Sequence, residues 1–142
     1  MKQVFSKNSD IHKAAGIIIQ DRKLLVEKDI DKNYFISPGG KIESGETPEQ
    51  ALVRELQEEF TILVKPEDLE KFDTFSAPAA GQEHRTVYMY VFFVHNFTGQ
   101  ISHGHKVEQL LWLNSSIPVN IKVGSIFEHQ VMPRLKELNL ID

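Results

Sequence analysis

Hydrophobic and polar positions follow two periods along the chain, one suited to a pleated strand and one to a helix. Ile11 to Gln20 is an apolar, β-branched run closed by a polar turn at Asp21-Arg22-Lys23. Leu24 to Glu27 is apolar again, which predicts a hairpin. A polar loop from Asp29 to Asn33 leads to a brief third strand, Tyr34-Phe35-Ile36, stopped by Pro38-Gly39-Gly40. There the period changes. Thr47, with Pro48 after it and Gln50 three residues on, is an N-cap with a capping box, and Ala51 to Phe60 continues in strong helix formers. Strands are expected again at Thr61 to Val64, at Leu69 to Ser76 beyond Pro66-Glu67-Asp68, and at Arg85 to Asn96. A polar loop bracketed by Gly99 and Gly104 precedes another short strand, Leu110 to Leu113. Ile126, Phe127, Val131, Leu135 and Leu138 recur at helical spacing, and Pro133 among them implies a kink or a helix start. Strands with helices between and after them read as one α/β (α+β) domain over residues 1–142, a mixed sheet flanked by helices.

Composition narrows the class. Hydrophobic residues at 41% and charged residues at 25% belong to a folded globular chain rather than a disordered one. The longest apolar run, Tyr88 to Val94, suits a buried strand and falls far short of a membrane span. Met1 to Lys13 carries no apolar signal core, so a cytoplasmic location is expected. The absence of cysteine excludes disulfides, Cys-bound zinc, iron–sulfur clusters and thiol nucleophiles. A net charge of −4 argues against a nucleic-acid polymer as partner, because such a partner selects a basic face.

That charge is local. Between Gly40 and Ile62 stand six acids and two bases, an excess equal to that of the whole chain. On a helix, Glu55, Glu58 and Glu59 span about 100° of arc beside the apolar stripe of Leu52, Val53, Leu56 and Phe60. Like charges at such spacing repel, and partial burial worsens the repulsion. A solvated acidic face is the ordinary explanation of a charge run. Here the acids border the buried stripe, Pro38-Gly39-Gly40 lets backbone approach a ligand, and Glu46 lies just before the N-cap. Oxygen ligands in such number suit Mg²⁺ or Mn²⁺.

Gly40-x5-Glu46-x7-Arg54-Glu55-Leu56-x-Glu58-Glu59-x-Thr61-Ile62 resembles the Nudix box, G-x5-E-x7-R-E-U-x-E-E-x-G-U, with Thr61 where the family has glycine. The stretch from Pro38 to Glu59 is similar to that of MutT-type nucleoside triphosphate pyrophosphohydrolases. The resemblance implies an α/β/α sandwich and a Mg²⁺-dependent hydrolase that cleaves the pyrophosphate linkage of a nucleoside diphosphate derivative by water attack on phosphorus. Glu55, Glu58, Glu59 and the Gly40 carbonyl would hold the metal. Arg54 would hold the acidic cluster by ion pairing, and Glu46 would be an auxiliary carboxylate. The catalytic base would come from the box, as Glu55 or Glu58, or from a later loop, where Glu108 is the candidate. Thr61 is expected to alter the C-terminal turn of the helix, since threonine resists the left-handed conformation.

Substrate contacts are expected from Lys28, Gly39 and Lys41, with Lys28 better placed than Arg22, Lys23 or Arg85. Each of these cations also reads as plain surface charge. His103-Gly104-His105 lacks the further partners a zinc site needs. Phe35 and Phe75 suit core as well as base stacking, and Trp112 between two leucines reads as core. A nucleoside triphosphate, oxidised dGTP included, is the favoured substrate class. No asparagine stands where MutT-type enzymes read guanine; Glu128 lies near that place. Pro78, 16 residues beyond Ile62, resembles the spacing in ADP-ribose-hydrolysing relatives and keeps ADP-ribose or another nucleotide sugar as the alternative. A non-catalytic nucleotide-binding module is the alternative of another class. Such modules usually lack box acids, and all are present here.

Overall fold

The computed structural model describes residues 10–142, so residues 1–9 of the expected domain and most of the Met1 to Lys13 segment lie outside it. Among the described residues seven strands form two sheets. In the first, β1 (Asp10–Ile17) lies between β4 (Gly39–Lys41), antiparallel to it, and β6 (Gln82–Val94), parallel to it. The edge strand β5 (Leu69–Ala79) pairs antiparallel with β6, giving the order β4-β1-β6-β5. In the second sheet, β3 (Lys23–Asp29) lies between β2 (Ile19–Gln20) and β7 (Val107–Leu113), all antiparallel.

Helix α1 (Pro48–Phe60) covers one side of this assembly, its Leu52, Leu56 and Phe60 packed with Ala14, Leu25, Phe92 and Val107. The C-terminal helical segment covers the other, where Phe127, Val131 and Leu135 pack with Ile17, Val26, Met89 and Val91. Two helical layers around sheets give the expected mixed α/β/α arrangement. No helix among the described residues is long and apolar enough to cross a membrane.

Several expectations are corrected. Ile11 to Gln20 is not one strand: the chain changes sheets at Ile18, whose carbonyl accepts from the Leu25 N–H at 2.9 Å. Pro38-Gly39-Gly40 does not end the strand region but leads into β4, for Gly39 and Gly40 pair with Ala15 and Ala14. Tyr34-Phe35-Ile36 and Thr61 to Val64 make only isolated bridges, Glu27 to Ile36, Phe35 to Val123 and Leu63 to Thr98. Trp112 is 37% exposed on the outer face of β7. Near Pro133 the helix widens: Phe127–Val131 is a π-helical turn in which the Met132 N–H reaches the Phe127 carbonyl, and α2 (Met132–Glu137) follows. Proline has no N–H, and its ring crowds the carbonyl four residues back, so the bonding shifts there.

Candidate active site

The start of helix α1 is set by its sequence. The Thr47 hydroxyl accepts from the Gln50 N–H at 3.1 Å, and the Gln50 side-chain carbonyl accepts from the Thr47 N–H at 2.9 Å. Pro48 occupies the first turn, where no intrahelical donor is needed. With the start set and Ala51, Leu52, Leu56 and Phe60 buried, the phase of the acids follows. Glu55 turns toward β4 and Glu59 toward Gly104, both mostly buried, whereas the Glu58 side chain is 56% exposed at the rim.

Arg54 gathers the acids. Its Nε and Nη2 donate to the two oxygens of Glu46 at 2.6 and 3.0 Å, and Nη2 also donates to the Lys41 carbonyl at 3.1 Å. Its Nη1 bridges Glu55 at 3.1 Å and Glu58 at 3.3 Å. Glu46 accepts in addition from the Glu43 N–H at 2.9 Å. The guanidinium and this N–H hold the Glu46 carboxyl down at about 2. Burial pushes Glu55 upward, against the pull of Arg54. As they stand, no three Asp, Glu or His side chains among the described residues converge on one ion. The guanidinium between Glu55 and Glu58 supplies the positive charge that repelling carboxylates need.

The glycines make room. A Cβ on Gly39 would sit 2.0 Å from the Ala14 carbonyl oxygen, so only glycine lets β4 lie against β1 there. A Cβ on Gly40 would meet Glu55 Cδ at 2.5 Å and Oε2 at 2.6 Å. Glu55 therefore rests against bare backbone. At the far end of α1, Thr61 takes the left-handed conformation, φ 60° and ψ 28°, that its side chain disfavours. The expected alteration of this turn does not occur. The Thr61 hydroxyl lies 2.6 Å from the Phe60 carbonyl, 2.9 Å from the Gln100 carbonyl and 2.9 Å from the Ser102 hydroxyl, and these bonds offset the strain.

Glu55, Glu59, Gly39, Gly40 and Lys41 line a cleft of about 340 Å³ with Lys13, Glu27, Asp29, Ser37 and Lys106. Burial, with the Asp29 carboxyl adding to it, pushes Glu27 up to about 9. Burial lowers Lys13, and Lys32 and Lys41 lower it further. Lys13, Ile36 and Met89 also line a second, mainly apolar cleft of about 490 Å³ between β5, β6 and the C-terminal helical segment. Tyr34, Pro78, Val87, Phe127 and Glu128 contribute to its walls.

The sequence candidates thus divide. Gly39, Gly40, Lys41, Glu55 and Glu59 share the cleft, and Arg54, Glu46 and Glu58 form the ion network at its edge. Lys28 and Glu108 are brought to each other instead, Nζ to Oε1 at 2.5 Å, and line neither cleft. Side chains alternate along β3 and β7, so Glu27 and Val107 face the cleft and their neighbours Lys28 and Glu108 do not. Arg22 binds Asp142 and Asn139, tying the β2–β3 turn to the C-terminus. Phe35 and Phe75 are core. Sequence reasoning missed Lys13, Glu27 and Lys106. The only local signal was an acid or a base inside an apolar strand, as in Leu24-Leu25-Val26-Glu27.

The NUDIX domain family matches residues 10–131. An 8-oxo-dGTP diphosphatase of Proteus vulgaris is 42% identical over 59 residues, 38% of this chain and 53% of that protein. An ADP-ribose pyrophosphatase of Methanocaldococcus jannaschii is 41% identical over 66 residues, 44% of this chain and 38% of that protein. The matched stretches thus span about half or less of those relatives. A solved structure from work on MutT of Aliivibrio salmonicida and Vibrio cholerae superposes with a TM-score of 0.65 at 28% identity, covering 91% of this chain and 96% of that one.

Proposed function

The chain belongs to the NUDIX family, and from that premise we propose that it is a MutT-type pyrophosphohydrolase of nucleoside triphosphates, with oxidised dGTP the first substrate to test. The observation that carries the proposal is the continuity of two clefts of opposite character through Lys13, Ile36 and Met89. A nucleotide is built the same way, an apolar base at one end and charged phosphates at the other. The 8-oxo-dGTP diphosphatase similarity supports the same substrate class.

Hydrolases of this family need a divalent metal, and the residues present fit one. The donors are hard oxygens, Glu59 Oε1 is buried without a hydrogen-bond partner, and Gly40 leaves its backbone open against Glu55. Glu55, Glu58, Glu59 and the Gly40 carbonyl are the proposed ligands, and Mg²⁺ the proposed ion. When bound, it neutralises the pyrophosphate oxygens and lowers the pKa of a water. The chain's own groups do the rest. Arg54 and Glu46 hold Glu55 and Glu58 in place. Glu55, on the cleft wall, accepts the proton of the attacking water. Lys13, Lys41 and Lys106 face the phosphates, and the apolar cleft holds the base and sugar. Glu108, paired to Lys28 on the far face of the strands, has no part in this scheme. The partner is a small nucleotide in the cytoplasm.

A second reading, ADP-ribose as substrate, is favoured by Pro78 in the apolar cleft wall and by the similarity to an ADP-ribose pyrophosphatase. Incubation with Mg²⁺ and a panel of dNTPs, 8-oxo-dGTP, ADP-ribose and dinucleoside polyphosphates separates the readings. Release of nucleoside monophosphate and pyrophosphate from 8-oxo-dGTP, lost in Glu55→Gln, is the expected result. Preferred turnover of ADP-ribose selects the second reading. Tight binding of one compound without turnover of any selects a binding module.

A further inference from the structure

Four buried side-chain polar atoms among the described residues have no hydrogen-bond partner, and three of them, Glu27 Oε1, Ser37 Oγ and Glu59 Oε1, belong to residues that line one cleft. Glu27 is 3% exposed, Ser37 0% and Glu59 8%, so bulk water does not satisfy them. An unpaired buried polar group is costly, and a charged one more so, so three such groups around one cavity point to a ligand that pairs with them. The three come from different parts of the fold. Glu59 stands on α1, Ser37 precedes β4, and Glu27 lies on β3 of the other sheet. Reciprocal backbone bonds to Ile36, at 2.7 and 2.9 Å, fix Glu27 beside Ser37.

The nature of the occupant follows from the donors. A phosphate oxygen approaching the Glu59 carboxylate needs a cation between them, and an apolar group leaves all three atoms unsatisfied. The lysines that line the cleft do not donate to Glu27 Oε1 or Glu59 Oε1. A compact cation that takes oxygen ligands suits these oxygens once their side chains turn toward it. We propose that Glu27 supplies a carboxylate to the divalent-cation site from β3, opposite helix α1. This rests on the cleft being the metal cleft of the function proposed above and extends it. The box residues Gly40 to Glu59 are one continuous segment, whereas Glu27 belongs to the second sheet. An ion shared between them ties the β2-β3-β7 sheet to α1, so the cation strengthens the fold as well as the chemistry.

The test uses Mn²⁺ alone, with no nucleotide, on the full chain and its Glu27→Gln and Glu27→Val variants. Binding is read from the free-Mn²⁺ electron paramagnetic resonance signal and by calorimetry, and thermal melting is followed in EDTA and in Mn²⁺. The parent chain is expected to bind Mn²⁺ and to melt higher in its presence. Both variants are expected to melt cooperatively in EDTA, to bind Mn²⁺ at least tenfold more weakly, and to lose most of the metal-dependent rise. Variants that bind Mn²⁺ as the parent does overturn the role of Glu27 and leave the box site standing. A parent chain that binds no Mn²⁺ at millimolar concentration overturns the metal cleft itself, and this inference with it.

Discussion

Arg54 grips Glu46 through two parallel hydrogen bonds, Nε to Oε2 at 2.6 Å and Nη2 to Oε1 at 3.0 Å, while its remaining nitrogen bridges Glu55 and Glu58. One planar cation thus sets the positions of three carboxylates. A lysine brings the charge without the fork. Arg54→Lys is therefore expected to lower kcat/KM by about 10- to 100-fold, the usual cost of losing a group that orients metal ligands. Glu46→Gln, which keeps the shape and weakens the grip, is expected to do the same in smaller measure. Steady-state kinetics at saturating Mg²⁺ check both; activity equal to the parent in Arg54→Lys removes the positioning role.

Gly40 and Glu55 are pressed together, and the contact offers a substitution that separates chemistry from folding. The added Cβ of Gly40→Ala would meet the end of the Glu55 side chain at 2.5 Å, and a flexible carboxylate can swing away. The expected stability loss is under about 1 kcal/mol, in the range of a mild surface change. The swing moves the carboxylate off the cleft wall, so turnover is expected to fall by about tenfold or more. Chemical denaturation and kinetics on the same preparation decide it. A large stability loss with intact turnover is the opposite outcome.

The part of the site carried by one continuous segment was readable from residue order alone. The Thr47–Gln50 capping box fixes where α1 starts, and the start fixes which way Glu55 and Glu59 point. What depends on pairing between distant strands was not readable. Lys28 and Glu108 were candidates because of their places in the chain. Whether β3 presents Glu27 or Lys28 to the cleft depends on register, and a shift of one residue exchanges them. Lys13 and Glu27 share a cleft only because the fold brings β1 and β3, strands of different sheets, to one place, which no local pattern encodes. The division of Ile11 to Gln20 at Ile18 has the same origin: both halves are apolar, and they belong to different sheets.

Thr61 shows the converse, a local rule overridden by side-chain bonding. Its left-handed backbone costs roughly 1–2 kcal/mol relative to glycine. Its hydroxyl returns hydrogen bonds of about 1 kcal/mol each to the Gln100–Ser102 loop. Thr61→Val keeps the strain and removes the bonds, so it is expected to destabilise the chain by about 1–3 kcal/mol. Thr61→Gly removes both and is expected to stay within about 1 kcal/mol of the parent. Denaturant midpoints check the pair. A valine variant as stable as the parent shows that the hydroxyl does not offset the strain.

Glu27 sets a pH dependence whose sign follows from its environment. Its carboxyl titrates near 9 in the folded chain against 4.5 when unfolded, because burial disfavours the charged form. The folded state therefore binds the proton more tightly. Metal-free stability is intact below about 4.5 and is lost as pH rises toward 9, by at most about 1.4 kcal/mol per pH unit from this group. Glu27→Gln, neutral at every pH, is expected to be more stable than the parent in EDTA at pH 8 and to approach it near pH 5. Melting curves in EDTA across that range measure the difference. A constant gap between the two proteins, or one that widens toward acid, shows that Glu27 is charged in the folded, metal-free cleft.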